Sequence, residues 1–122
     1  MTVDRSNREI RTAWDDLPDA VRTYLVAHRS RDVSAALTRF TDDAAVTDEG
    51  RTHRGRDEIA AWLGAAGGEY TYTTEFIEAT TIGASSVDVL QHLAGNFPGG
   101  EADLHFRFTL DGALISRLVI EP

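Results

Sequence analysis

From residue 17 to residue 40 the apolar side chains recur at helical spacing. Leu17-Pro18-Asp19 reads as a helix start, with proline tolerated at the leading edge. Val21, Tyr24, Leu25 and His28 then fall at i, i+3, i+4 and i+7, one face of a helix. Asp32 suits the cap of a second short helix with the stripe Val33, Ala36, Leu37 and Phe40. Thr41-Asp42-Asp43 breaks that pattern, and Ala44 to Asp48 reads as a short strand ending at Glu49-Gly50. After a basic loop, Gly55-Arg56-Asp57 opens a third helix whose stripe is Ile59, Trp62, Leu63 and Ala66, with Gly67-Gly68 placed to stop it.

From Tyr70 onward the texture is β. Tyr70 to Thr81 is rich in threonine, tyrosine and β-branched residues, which suit a pleated surface, and Val87 to Ala94 follows. The turn-forming run Gly95-Asn96-Phe97-Pro98-Gly99-Gly100 leads into Ala102 to Leu110, where Leu104, Phe106 and Phe108 alternate with His105, Arg107 and Thr109. Asp111-Gly112 is a hairpin signal, and Leu114 to Glu121 closes the sheet. Helices early and an antiparallel meander late predict an α+β fold with helices on one sheet face. Residues 1–18 read as an arm, loose or partly helical as far as Trp14, ahead of a single domain over residues 19–122.

Composition narrows the possibilities. A chain of 122 residues can bury a core without disulfides or a structural metal. It has no cysteine, which removes thiolate metal sites and a thiol nucleophile. Its net charge of −8 disfavours nucleic acid and anionic membranes as partners. The basic cluster Arg51, His53, Arg54 and Arg56 reads as a solvated loop. Met1 to Arg11 lacks the apolar core of a signal peptide and no stretch is long enough to cross a bilayer, so a cytoplasmic location is expected. The four histidines show no metal-ligand spacing, and neither a nucleophile elbow nor a phosphate cradle is present, so no metal and no cofactor are expected.

Three stretches carry a resemblance to a known family: Tyr24-Leu25 through Asp32-Val33 to Phe40-Thr41-Asp42-Asp43-Ala44-Ala45-Val46-Thr47-Asp48; Gly55-Arg56-Asp57-Glu58-Ile59-Ala60-Ala61-Trp62; and Gly95 to Gly100 running into Arg107-Phe108 and Asp111-Gly112. With the element order, they resemble the SnoaL-like, nuclear-transport-factor-two-like superfamily, which includes ketosteroid isomerase. The resemblance implies a cone-shaped, cystatin-like α+β roll, a curved antiparallel sheet wrapped by three helices around an apolar pocket. It also implies a homodimer through the outer sheet face, to which His105 and Arg107 would belong.

Two residues are candidates for chemistry. Asp48 shares strand parity with Ala44 and Val46, so a core-facing Val46 would aim its carboxylate at the cavity, where desolvation raises a carboxyl pKa towards that of a usable base. The alternative is that Asp48 only ends the strand and caps the Glu49-Gly50 turn. Tyr24 lies on the inner face of the first helix, where its hydroxyl needs a partner. In the resemblance to ketosteroid isomerase, Asp48 falls at the proton-shuttling aspartate and Tyr24 at the tyrosine that donates to the oxyanion. Supporting tyrosines of that enzyme read Phe40 and Leu63 here, and its second acid falls at Leu104. Trp62, His92, His28, Phe40, Leu104 and Phe106 are candidate pocket-lining residues.

The resemblance therefore points to a cofactor-free isomerase or aldol-type cyclase acting on a small hydrophobic carbonyl compound. The missing second acid leaves open a protein that only binds a small hydrophobic ligand. Epoxide hydrolysis by an Asp-Arg-Asp set is a weaker alternative, since Arg107 has the wrong parity for it.

Overall fold

The computed structural model describes residues 9–122, the side chains of residues 66–69 excepted. Helix α1 (Asp19–Ser30) follows Pro18 and buries Ala20, Val21, Tyr24, Leu25 and Ala27. It ends at Arg31, which takes a left-handed conformation (φ 59°) and returns its N–H to the carbonyls of Ala27 and His28. Asp32 caps α2 (Val33–Leu37) by accepting from Ala35 N at 3.1 Å. Phe40, expected on the stripe of that helix, instead opens strand β2 (Phe40–Asp48). Five residues propagate too little helix to hold Phe40, and its burial between sheet and α1 favours extended backbone.

A two-residue turn, Glu49 (φ 52°) and Gly50 (φ 76°), joins β2 to β3 (Arg51–Arg54). The basic segment expected as a loop is thus a paired strand, with Asp48 opposite Arg51. Helix α3 (Gly55–Glu69) buries Ile59, Trp62 and Leu63 and runs through Gly67-Gly68 rather than stopping there; the Ala66 side chain lies outside the described residues. Strands β4 (Tyr72–Ile82), β5 (Ser86–Gly95), β6 (Glu101–Asp111) and β7 (Leu114–Glu121) form the meander. Of the arm, residues 1–8 lie outside the described residues. Glu9–Arg11 is strand β1, paired with the far end of β4, and Trp14–Asp16 forms one 3₁₀ turn.

Seven strands make one curved sheet in the order β1-β4-β5-β6-β7-β2-β3. It is mixed rather than wholly antiparallel, because β2 lies parallel to β7. The long connection that a parallel pair needs runs from β2 through β3, α3 and the β4–β6 strands before β7 returns beside it. A bulge between Phe76 and Glu78 switches the inward parity of β4, so Tyr72, Thr74 and Phe76 face in before it and Ala79 after it, while Ile77 is left exposed. Such a bulge bends a sheet, and here it helps wrap the sheet around α1. Phe40, Phe106, Phe108, Ile115 and Leu118 form the inner layer against Tyr24, Leu25 and Ile59.

Gly95 lies opposite Tyr72 in the β4–β5 pairing. A Cβ added there would stand 2.5 Å from Tyr72 Cβ and closer still to the Thr71 carbonyl oxygen. Gly95→Ala is therefore expected to destabilise the fold by about 3 kcal/mol in urea unfolding, because backbone has to move to admit the methyl group. Gly64 gives the opposite control: a Cβ there meets nothing within 4 Å on exposed α3. Gly64→Ala is expected to stabilise by about 0.5–1 kcal/mol through helix propensity.

Candidate active site

The open end of the sheet and the outer half of α3 enclose a cavity of about 940 Å³, within the size range of ligand sites. Leu93, Leu104, Phe106 and Ile120 supply its sheet side, Trp62 its helix side, and Phe97 and Pro98 come from the loop after β5. Tyr70 and Tyr72 complete an aromatic corner: the ring of Phe97 meets both edge-on, with centroids 6.3 Å and 6.5 Å away.

Asp48 lies at the last position of β2 and on the inward parity of buried Ala44 and Val46. Its carboxylate lines the cavity, and its Oδ2 accepts a hydrogen bond from Trp62 Nε1 at 3.1 Å. The indole N–H fixes one carboxylate oxygen in direction. Trp62 is itself held by burial in α3 and by His53, whose ring stacks on it at 6.0 Å.

Tyr24 is placed differently from the expectation. It is 0% exposed, packed edge-on against Phe40 and Phe108 with centroids 5.6 Å away, and does not line the cavity. Its hydroxyl is buried without a hydrogen-bond partner among the described residues. Burial, reinforced by Tyr72 and Asp48, pushes its pKa well above the ordinary tyrosine value. Phe40 likewise belongs to the core beneath the cavity rather than to its wall. Both sit a layer too deep because α1 lies close against the sheet at this point.

His28 does reach the cavity. Its ring stacks on Tyr24 at 5.8 Å, lies 5.9 Å from Phe106 and 6.1 Å from Tyr72, and its Nε2 is 3.2 Å from the Tyr72 hydroxyl. Burial, and then the Arg31 guanidinium, lowers its pKa to about 4, so the imidazole is neutral at pH 7. Tyr72 has its own pKa raised by burial and by Asp48, with Arg31 opposing.

His92, expected at the pocket on the parity of Leu90 and Ala94, lies on the outer face of the sheet. The buried parity of β5 is Val87, Val89, Gln91 and Leu93, so His92 points away from the cavity. There its Nδ1 meets Asp103 Oδ1 at 2.6 Å and its Nε2 meets Glu101 Oε1 at 3.3 Å. These hydrogen bonds, Asp103 first, raise its pKa. His105 and Arg107 share that face, both engaging Asp88, at 2.9 Å and 3.7 Å. The cavity thus brings together Asp48, Trp62, His28, Leu104 and Phe106 and leaves out Tyr24, Phe40 and His92. Tyr72 was missed by sequence reasoning, although its alternation with Thr74 and Phe76 marks an inward face. Among the described residues no cluster of three or more His, Asp or Glu side chains is placed to hold a metal ion, and no helix is long and apolar enough to cross a membrane.

No protein-family model matches the chain, and neither does any curated protein sequence. Solved structures do. A candidate polyketide cyclase from Sinorhizobium meliloti is 34% identical, with a TM-score of 0.84 over 90% of this chain and 100% of that one. The chain belongs to the SnoaL-like polyketide cyclase family. Two more distant structures share the SnoaL-like fold alone. A ketosteroid isomerase-like protein from Catenulispora acidiphila, solved in complex with trimethylamine, is 18% identical with a TM-score of 0.74, over 86% of this chain and 85% of that one. A Mycobacterium tuberculosis protein solved with estradiol-17β-hemisuccinate is 15% identical with a TM-score of 0.68, over 84% and 90% of the two chains. SnoaL-like membership accounts for the roll, while the reaction has to be argued from the side chains that line the cavity.

Proposed function

We propose that this SnoaL-like protein is a cofactor-independent acid/base enzyme acting on a small hydrophobic carbonyl compound, by isomerisation or aldol-type ring closure. The observation that carries the reading is the Asp48 carboxylate, anchored through one oxygen by Trp62 in a cavity whose aromatic and aliphatic walls also carry Glu49, Arg51, Glu101 and Glu121. A carboxylate so placed can take a proton from the carbon beside a carbonyl and return it elsewhere on the same molecule, or leave the enolate carbon to attack a second carbonyl. The aromatic corner suits a flat apolar substrate, and the neighbours solved with estradiol hemisuccinate and trimethylamine make a small organic molecule the natural occupant.

A probe independent of substrate identity tests the base. 5-Nitrobenzisoxazole is flat and apolar, carries one acidic C–H, and opens to a coloured phenolate when a base removes that proton. Turnover by the natural chain that is lost in Asp48→Asn supports the proposal; equal rates in the two chains overturn it.

One observation favours a second reading, a protein that binds such compounds without transforming them. Leu104 lines the cavity at the position where the ketosteroid isomerase resemblance expects a second acid. Binding of apolar carbonyl compounds by a chain with no turnover would decide for it. Epoxide hydrolysis finds no support, because Arg107 faces outward and engages Asp88.

A further inference from the structure

We propose that Tyr72 is the hydrogen-bond donor the cavity presents to the oxygen of a bound ligand, and that His28 is the positioning residue that aims it. The inference rests on the reading of the cavity as a site for an oxygen-bearing compound, and it supplies the donor that Tyr24 cannot provide.

What Tyr72 can give a ligand depends on where two hydrogens sit. Tyr72 and His28 both line the cavity, and the phenol oxygen is 3.2 Å from His28 Nε2. A tyrosine hydroxyl has one hydrogen to donate. If it is given to His28, none is left for a ligand. If Nε2 carries the proton and donates to the phenol oxygen, the Tyr72 hydrogen is free to turn into the cavity.

His28 Nδ1 decides between the two. It is buried and has no hydrogen-bond partner among the described residues, enclosed as the ring is by Tyr24, Phe106 and Tyr72. A buried N–H without an acceptor is the rarer and costlier arrangement; a bare ring nitrogen in an apolar surround is easier to accommodate. With the ring neutral, one nitrogen is bare and the other protonated. The bare one is therefore Nδ1, and Nε2 donates.

The result is a donor chain, His28 Nε2–H to Tyr72 O–H to ligand oxygen, in which accepting from the imidazole strengthens the phenol as a donor. Asp48 lines the same cavity, so a base and a donor face one ligand from different strands, β2 and β4. Arg31, whose Nη2 donates to the Tyr70 carbonyl at 3.4 Å, adds positive charge behind Tyr72 and favours negative charge developing on the ligand oxygen.

The test is a pair of probes bound to Asp48→Asn, which imitates the uncharged state of the base after proton transfer. 4-Nitrophenolate offers an anionic oxygen; 4-nitroanisole has the same ring with that oxygen capped. Adding Tyr72→Phe is expected to weaken phenolate binding about 10- to 100-fold, the usual effect of losing a hydrogen bond to a charged group, and to change anisole binding by less than about threefold. Adding His28→Phe, which preserves an aromatic ring there, is expected to weaken phenolate binding about three- to tenfold with anisole again little changed. His28→Gln, whose amide N–H can occupy the place of Nε2, is expected to recover part of that loss. Proton–nitrogen NMR correlation of the imidazole is expected to find the proton on Nε2.

A proton on Nδ1 overturns the proposal. So does equal weakening of both probes in Tyr72→Phe, no weakening of either, or no preference for phenolate over anisole in the Asp48→Asn parent. Failure here leaves the ring-opening assay on Asp48 to decide the acid/base reading separately.

Discussion

Asp48→Asn is expected to slow opening of 5-nitrobenzisoxazole by about 10²–10⁴-fold, the usual contribution of a positioned general base. The effect should be confined to chemistry. An asparagine side-chain oxygen can still accept from Trp62 Nε1, so the 3.1 Å hydrogen bond that orders this end of the cavity has a partner in the variant. Asp48 is only partly buried and at a strand end, so its replacement asks little of the core. Unfolding free energies of the two chains should accordingly agree to within about 1 kcal/mol. Binding of uncharged 4-nitroanisole should change by no more than a few-fold, since the aromatic walls are untouched. A rate loss with stability and binding preserved isolates the carboxylate as the base. A rate loss that tracks unfolding, or none, removes Asp48 from that role.

The parts of this site that can be read in the sequence are those set by short-range periodicity. Ala44, Val46 and Asp48 alternate along one strand, and the structure keeps that parity, so the inward direction of Asp48 follows from three residues. Trp62 follows similarly from the Ile59, Trp62, Leu63 stripe of α3. His92 fails because β5 has no clean alternation: Gln91 lies among the buried residues at 1% exposure, while Leu90 shares the outer face with Asp88 and His92. Either parity could be taken as inward, and only the sheet's packing on α1 chooses.

Depth is the second thing periodicity leaves unread. Tyr24 and His28 sit one helical turn apart on α1, and the stripe treats them alike. In the fold Tyr24 is sealed between Phe40 and Phe108, whereas His28 lies one turn nearer the open end and reaches the cavity. That difference depends on where α1 crosses the sheet. The parallel pairing of β2 with β7, which brings Asp48 beside Ile120, joins segments about seventy residues apart and leaves no local mark either. Tyr72 is legible in direction, from its alternation with Thr74 and Phe76 ahead of the bulge, but its partner comes from a helix 44 residues earlier.

The position of His28 also gives the fold a dependence on pH whose sign can be worked out. Its ring is neutral in the folded chain with a pKa of about 4, lowered from 6.5 by burial first and by Arg31 second. Between those values the unfolded chain binds a proton that the folded chain does not, so stability rises with pH and is lost as pH falls. The penalty begins below about pH 6.5 and is complete below about pH 4. That gap, at about 1.36 kcal/mol per pH unit, comes to about 3 kcal/mol. Carboxylates titrate over the lower part of the same range, so the measurement is the difference in unfolding free energy between the natural chain and His28→Phe, followed from pH 7.5 to pH 4. Phenylalanine keeps an aromatic ring between Tyr24, Phe106 and Tyr72 but has nothing to protonate. At pH 7.5 it loses the hydrogen bond to Tyr72, at a cost of about 1 kcal/mol. As the medium is acidified the natural chain should lose ground until the variant becomes the more stable of the two. Parallel stability curves across the window would mean that the imidazole titrates alike in the folded and unfolded chains. A histidine that stayed protonated in the fold at neutral pH would carry protons on both nitrogens, and its Nδ1 would then be a buried donor with no acceptor among the described residues.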